Sequence, residues 1–257
     1  MDAEGYDRSG DERRWGCVPA TGEAEDAGQP VGGTLWEWTR SLTVAFLLFV
    51  SIRAVGVEAF KIPTSSMENT LLVGDFLLVN KAVYGAEIPG VGLRLPALAE
   101  PERGDVIVFN PPHEPSKNYV KRLVGVPGDT LEMRDKVLYV NGHAVREPYA
   151  RYIDHAGDAV HPSMRWQRGH LLADPPSARR YHPSRDTWGP LVVPEGRFFV
   201  LGDNRDNSED SRYWGFVERK AIRGRPWIVY YSFDPRGSDA APWLNAVRWT
   251  RVGEEIR

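Results

Sequence analysis

The apolar positions of the chain fall into two regimes. From Leu42 to Val57 it reads LTVAFLLFVSIRAVGV, a run broken only by Arg53 and small residues, with Trp36 and Trp38 just ahead. From Phe60 onward the pattern becomes short apolar or alternating segments separated by Gly, Pro, Asn and Asp. Asp75–Val79, Asp105–Phe109, Val120–Val126, Val137–Val140, Phe198–Leu201 and Trp227–Tyr231 fit strands. Pro127-Gly128-Asp129 and Asn141-Gly142 supply turn chemistry between them. No long amphipathic helix and no repeat is visible in this part, so a mostly β domain is expected. Residues 147–194 are rich in His, Pro, Arg and Asp and poor in apolar runs, and are expected to form an irregular insertion. After Pro235, the residues Trp243, Leu244, Val247 and Trp249 read as packing on the β domain rather than touching lipid.

The clean core of the first run is shorter than the roughly 20 residues a spanning helix needs. Counting from Trp36 to Phe60 supplies the length, provided Arg53 snorkels to a headgroup region while the tryptophans mark the other interface. A buried soluble helix would need a partner for Arg53 and shows no closing cap. A cleaved signal peptide, ending near the small residues Val57 and Ala59, conflicts with the long acidic stretch ahead of it. An uncleaved transmembrane anchor over 36–59 fits best. Its flanking charges, Arg40 and Lys61, leave the orientation open.

Charge adds two exclusions. Residues 1–33 hold eight acids against Arg8, Arg13 and Arg14, with almost no apolar pattern. Such a segment cannot bury enough surface to offset its conformational entropy, so 1–35 is expected to be a disordered tail. The whole chain carries −3, without the concentrated basic face of a nucleic-acid binder. Cys17 is the single cysteine, which rules out an intramolecular disulfide and leaves the compartment unmarked.

Candidate chemistry begins with serine and its possible bases. A serine hydroxyl is inert until something accepts its proton. The six histidines are His113, His143, His155, His161, His170 and His182, and none sits in a recognisable catalytic frame. Neither a Gly-x-Ser-x-Gly elbow nor a His-Glu-x-x-His helix is present. A zinc site among His155, His161, His170 and His182 is weighed against four exposed polar residues, the simpler reading. The acid-rich run Asp203–Arg212 lacks the central glycine and terminal glutamate of a calcium loop. Lys121 follows Tyr119 and Val120 in an apolar strand. Alternation places its ammonium toward a buried face, where the neutral amine is favoured and becomes a general base. From spacing alone a surface lysine remains the commoner outcome.

Three segments together resemble the serine, lysine and Gly-Asp-Asn motifs of the type I signal peptidases, which are serine/lysine proteases. They are Phe60–Met67, Tyr119-Val120-Lys121-Arg122, and Gly202–Arg212 followed by Tyr213-Trp214-Gly215. The resemblance runs from about Trp36 to Gly253. It implies Ser66 as nucleophile, Lys121 as general base, and an oxyanion site from the Ser66 N–H and the Thr64 hydroxyl. It also implies that Ser208 hydrogen-bonds the lysine amine, and that Asp203, Asp210 and Arg212 hold the site walls by ion pairing. Phe60, Ile62, Met67, Leu71, Tyr119 and Val120 map near shallow pockets for small substrate side chains. Arg103-Gly104-Asp105 resembles a further shared motif with a structural role. Two departures stand out: Thr64 where the family often has serine, and Asn69 where it usually has proline.

The architecture so implied is a signal-peptidase-like β-barrel over 60–146 and 195–257, interrupted by the 147–194 insertion. One transmembrane helix precedes it. The tail is cytoplasmic and the catalytic domain lies on the periplasmic or extracytoplasmic side of the inner (plasma) membrane. Expected partners are exported preproteins with signal peptides and the lipid bilayer, with no nucleic acid, no metal and no cofactor, for an enzyme acting as a monomer. A same-fold protease dedicated to a conjugation or pilus protein is an alternative. So is an inactive membrane-anchored binding protein, against which intact Ser66, Lys121 and Ser208 argue. The SOS-repressor autoproteases share the dyad but carry DNA-binding modules, which are not found here.

Overall fold

A computed structural model describes residues 31–87, 94–154, 159–172, 181–236 and 242–257. Most of the expected tail, with Cys17, and His155 of the weighed zinc set lie outside the described residues. The chain divides into two compact units, Met1–Ala45 and Phe46–Arg257. Helix α1 (Val31–Val55) begins within the expected tail and stops short of the expected end of the anchor. Its described side chains, from Leu35 to Phe49, are all exposed. Among the described residues no helix is long and apolar enough to cross a membrane.

The remainder is mostly β, as the alternating pattern predicts. Strands β1 (Val57–Lys61), β2 (Asp75–Asn80), β3 (Val106–Phe109), β4 (Tyr119–Gly125), β5 (Thr130–Arg134) and β6 (Val137–Val140) come first. They are followed by β7 (His143–Ala144), β8 (Trp188–Val192), β9 (Arg197–Leu201), β10 (Val217–Glu218) and β11 (Ile222–Ser232). A seven-stranded sheet has the order β1-β2-β11-β3-β4-β9-β10, and a four-stranded sheet has the order β7-β6-β5-β8. Every pairing between these strands is antiparallel. Among the described residues no pairing joins β10 to β1, so the expected signal-peptidase-like barrel takes the form of a curled, open half-barrel.

Two differences from the sequence expectation bear on the site. Val57–Ala59, counted with the anchor, instead pair with Asn80, Val79 and Leu78 of β2, which ties the segment before the serine into the large sheet. The 147–194 stretch is also less irregular than its composition suggests. It contains a 3-10 segment over Pro162–His170 and ends in β8, which pairs with β5 and buries Trp188 and Leu191 in a core cluster with Leu131, Leu138 and Phe199.

Hydrophobic burial explains why the site segments sit where they do. One core cluster joins Ile62, Met67 and Leu71 of the serine loop to Leu77, Val79, Val106, Val108 and Val229 of the large sheet. The loop is therefore anchored from beneath on both sides of Ser66. Gly74 closes it at φ +93°, where a Cβ would come 2.1 Å from the Phe233 carbonyl oxygen, so glycine is required. Asp75, fully buried, accepts from Leu72 N, Ser232 Oγ and the Arg251 guanidinium and pins the loop's exit.

Candidate active site

Ser66 lies in a turn between β1 and β2 whose backbone bonds run Glu68 N to Ser65 O at 3.0 Å and Leu71 N to Met67 O at 2.8 Å. Lys121 lies in β4 opposite Ile107 of β3. Though 55 residues apart, they meet: Lys121 Nζ donates to Ser66 Oγ at 2.5 Å. The lysine side chain is buried, with 4% of the residue exposed. Burial pushes its pKa down to about 8, with Asp210 opposing that shift, Arg212 adding to it, and Asp203 and Glu209 also opposing. An appreciable fraction is thus neutral near pH 8, and in that form the amine lies at 2.5 Å from the serine hydroxyl, within reach of its proton.

The Gly-Asp-Asn segment forms the opposite wall. Asn204 N donates to Ser66 O at 3.1 Å, Asn204 Nδ2 to Ser65 O at 3.2 Å, and Asn207 Nδ2 to Ser65 Oγ at 2.8 Å. Gly202 makes this approach sterically possible, since a Cβ there would lie 2.2 Å from Ser208 Oγ and 2.5 Å from Ser66 O. Thr64 Oγ1 stands 3.5 Å from Ser66 Oγ. Among the described residues the Ser66 N–H has no acceptor, which leaves it available to a developing oxyanion.

Ser208 departs from expectation. Its hydroxyl is buried and makes no hydrogen bond to Lys121. It packs against Gly202, and its influence falls instead on Asp210. Burial alone would raise the Asp210 carboxyl, but the Arg212 guanidinium, aided by the Gly202 N–H and Ser208, outweighs burial and holds it below the ordinary range.

Three forked pairs brace the wall. Arg122 grips Asp203 at 2.8 and 2.7 Å, Arg212 grips Asp210 at 2.8 and 2.8 Å, and Arg205 grips Glu147 at 2.8 and 2.6 Å. The fork matches the carboxylate geometry, and the guanidiniums find further backbone acceptors: Gly104 O for Arg122, Gly202 O for Arg205, and Arg205 O for Arg212. Asp203, Asp210 and Arg212 therefore pair, though not with one another as a single set: Asp203 belongs to Arg122, the strand neighbour of Lys121.

A cleft of about 700 Å³ runs past the dyad. It is lined by Phe60, Ile62, Met67, Tyr119 and Val120, as expected for substrate contacts, together with Thr64, Ser66 and Lys121. Leu71 does not belong there. It is fully buried beneath the loop, where the turn from Met67 directs it into the core cluster with Leu77 and Val106. Sequence reasoning missed Asn118, Asn207 and Glu209 in the lining and the roles of Arg122, Asn204 and Gly202. The available signal was adjacency: Arg122 alternates with Lys121 along β4, and Glu209 follows Ser208 directly. Asn69, where proline was expected from the resemblance, adopts φ +105° and donates to Tyr149 O at 3.0 Å. Proline is fixed near −65° and cannot take this conformation. Among the described residues no three His, Cys, Asp or Glu side chains are grouped to hold a metal ion.

A family model described as signal peptidase, peptidase S26, matches residues 35–231. A signal peptidase I of Pseudomonas aeruginosa is 38% identical over 233 residues, covering 85% of this chain and 78% of that protein. One of Aquifex aeolicus is 36% identical over 223 residues, covering 74% of this chain and 82% of that protein. A crystal structure of a signal peptidase I from Enterococcus faecalis V583, at 34% identity, covers 50% of this chain and 98% of that chain, with a TM-score of 0.34.

Proposed function

The chain belongs to the peptidase S26 signal peptidases, and from that membership we propose that Ser66 and Lys121 carry out its peptide cleavage. The enzyme is a serine endopeptidase of the signal peptidase I type, acting on the signal peptides of exported preproteins. The observation that carries the residue assignment is the 2.5 Å contact between Lys121 Nζ and Ser66 Oγ at the floor of the cleft.

In this reading the neutral Lys121 amine takes the Ser66 proton as the hydroxyl oxygen attacks the scissile carbonyl. The oxyanion meets the Ser66 N–H and the Thr64 hydroxyl. The ammonium then returns its proton to the leaving amine, and water repeats the sequence on the acyl-enzyme. Shallow apolar surfaces from Phe60, Ile62, Met67, Tyr119 and Val120 favour small substrate side chains by excluding bulk.

Membrane attachment through α1 is part of the same proposal, with the catalytic domain on the extracytoplasmic side of the plasma membrane. It is supported by the apolar run Leu42–Val57 and by the exposure of the described α1 side chains. The helix's 25 residues would extend ~37 Å against a hydrocarbon core of about 30 Å, while its described residues alone, which include Glu37 and Arg40, are not apolar enough over a sufficient length to cross a membrane. Extraction of cell membranes with alkaline carbonate should leave the protein in the pellet, and its release would remove the anchor.

The decisive test of the chemistry is incubation of the purified protein with a preprotein and mass mapping of the cut. Cleavage after small residues, lost in Ser66→Ala and in Lys121→Met and retained with a chelator, supports the assignment. Full activity in either variant overturns it.

A further inference from the structure

Peptide cleavage by Ser66 and Lys121 leaves most of the cleft's charged lining unused. Besides Lys121, its lysines and carboxylates are Lys61, Lys117 and Glu209. Lys117 is paired with Glu114 at 2.8 Å. Lys61 sits over the rings of Phe76 and Phe233, 5.7 and 5.5 Å from their centroids. Glu209 differs from both. It is exposed, and among the described residues it makes no hydrogen bond and no ion pair.

The local backbone explains its direction. Ser208 and Asp210 are extended and buried on either side of it, so alternation turns the intervening carboxylate outward into the cleft. From there its charge reaches both Lys121 and Tyr119. The other carboxylates that act on Lys121, Asp203 and Asp210, are buried and forked by Arg122 and Arg212, and so cannot receive a substrate group.

We infer that Glu209 is a specificity-determining residue whose carboxylate receives a lysine or arginine side chain of the bound polypeptide close to the scissile bond. This rests on the cleft being the polypeptide site. A chain lying there displaces water from around Glu209, and a cation at the facing position replaces the lost solvation. Exposed pairs of this kind contribute modestly, so a preference of about twofold to fivefold over a neutral residue is expected.

The arrangement also couples substrate charge to the base. Lys121 faces Ser66, the aromatic ring of Tyr119, and the fields of Asp203, Asp210, Arg212 and Glu209. Within that set Glu209 is the carboxylate that a substrate cation can reach. Neutralising it removes part of the field that favours the ammonium, so Lys121 deprotonates at lower pH in the complex with a cationic substrate. A merely structural glutamate would not move that limb.

The test uses the detergent-solubilised full chain and peptides with fixed small residues at the two recognised positions. A lysine, alanine or glutamate is placed in turn at the residue between them and at each of the first two residues after the cut. At one position the lysine peptide should exceed the alanine peptide in kcat/KM by about twofold to fivefold. The glutamate peptide should fall below alanine. The ratio should move to about one in Glu209→Gln, persist in Glu209→Asp, and shrink in 1 M salt, where charges are screened within about 3 Å. In the wild type alone, the ascending limb of kcat should lie at lower pH for the lysine peptide. Equal lysine and alanine rates at every position, or a preference unchanged in Glu209→Gln, overturn the inference. If the alanine peptides are not cut at all by the wild type, the proposed function itself fails and this inference with it.

Discussion

Replacing Lys121 by methionine should abolish cleavage without weakening the fold at neutral pH. The lysine's pKa falls from 10.5 in the unfolded chain to about 8 in the folded one, chiefly because burial disfavours its charge. A lysine whose folded pKa is depressed binds fewer protons when folded, so it opposes folding at pH values below both pKa values. At 1.36 kcal/mol per unit, the penalty is about 3 kcal/mol at pH 7. It fades as pH rises from about 8 toward 10.5, to roughly 1 kcal/mol at pH 10. Methionine keeps a similar length and an apolar stem in a site with 4% exposure, while losing the hydrogen bond to Ser66, worth about 1 kcal/mol. The net expectation at pH 7 is a variant equal to or more stable than wild type by up to about 2 kcal/mol. That is a rise of a few degrees in melting temperature for a chain of this size. Urea unfolding at pH 7 and pH 10 reads it directly, with Ser66→Ala as the control that loses the same hydrogen bond but keeps the lysine. The methionine variant's advantage over that control should shrink at the higher pH. A variant markedly less stable than wild type at pH 7 would mean that Lys121 is a charged partner of Asp210 and Asp203, and the general-base assignment would fall.

Other consequences are as direct. With a base of pKa about 8, kcat/KM should climb nearly tenfold per unit up to pH 7 and level off above about pH 9, and a flat profile over that range would exclude Lys121 as the titrating base. Thr64→Ser should keep most turnover, whereas Thr64→Val should lose on the order of 10²–10³ if the hydroxyl serves the oxyanion, and equal single-turnover rates would show that it does not. Asn69→Pro should destabilise by more than about 1 kcal/mol because φ +105° is closed to proline, while Asn69→Gly should be tolerated, as thermal melts of the two will show. Glu147→Ala strands a guanidinium with no side-chain exposure and should cost about 3–5 kcal/mol in urea titrations.

How far the sequence reveals this structure depends on whether each feature is encoded locally. The strands β2, β3, β4, β6 and β9 were legible because their apolar residues recur with a two-residue period or run unbroken between turn residues. β8 was not, because Gly189-Pro190 reads as a turn, yet Trp188 and Leu191 bury against Leu131 and Phe199 and pull the segment into the second sheet. β1 was hidden by its position directly after the apolar run, where no punctuation separates helix from strand. In the site, Ser66, Lys121 and the Gly-Asp-Asn run stood out through motif spacing, and the cleft lining was anticipated at Phe60, Ile62, Met67, Tyr119 and Val120. Leu71 and Ser208 were placed by analogy, and packing decided otherwise. One residue's turn sends Leu71 downward into the core, and Gly202 draws Ser208 against its own Cα. The partner of Asp203 was illegible for another reason. Arg122 is 81 residues away in sequence, and only the pairing of β4 with β9 brings them together.

The separation of the site's parts along the chain has a kinetic consequence. The proposed nucleophile, the proposed base and the wall come from residues 66, 121 and 202–212, and no two of these segments are neighbours in sequence. Their juxtaposition requires β4 to have found both β3 and β9, and Asn204 to have reached the carbonyl of Ser66. Long-range antiparallel pairing of this kind forms late, after most loop-closure entropy has been spent. A nascent or partly collapsed chain therefore has an ordinary solvated lysine, protonated and distant from an ordinary serine. For the proposed dyad, hydrolytic competence would therefore arrive only with the finished sheet.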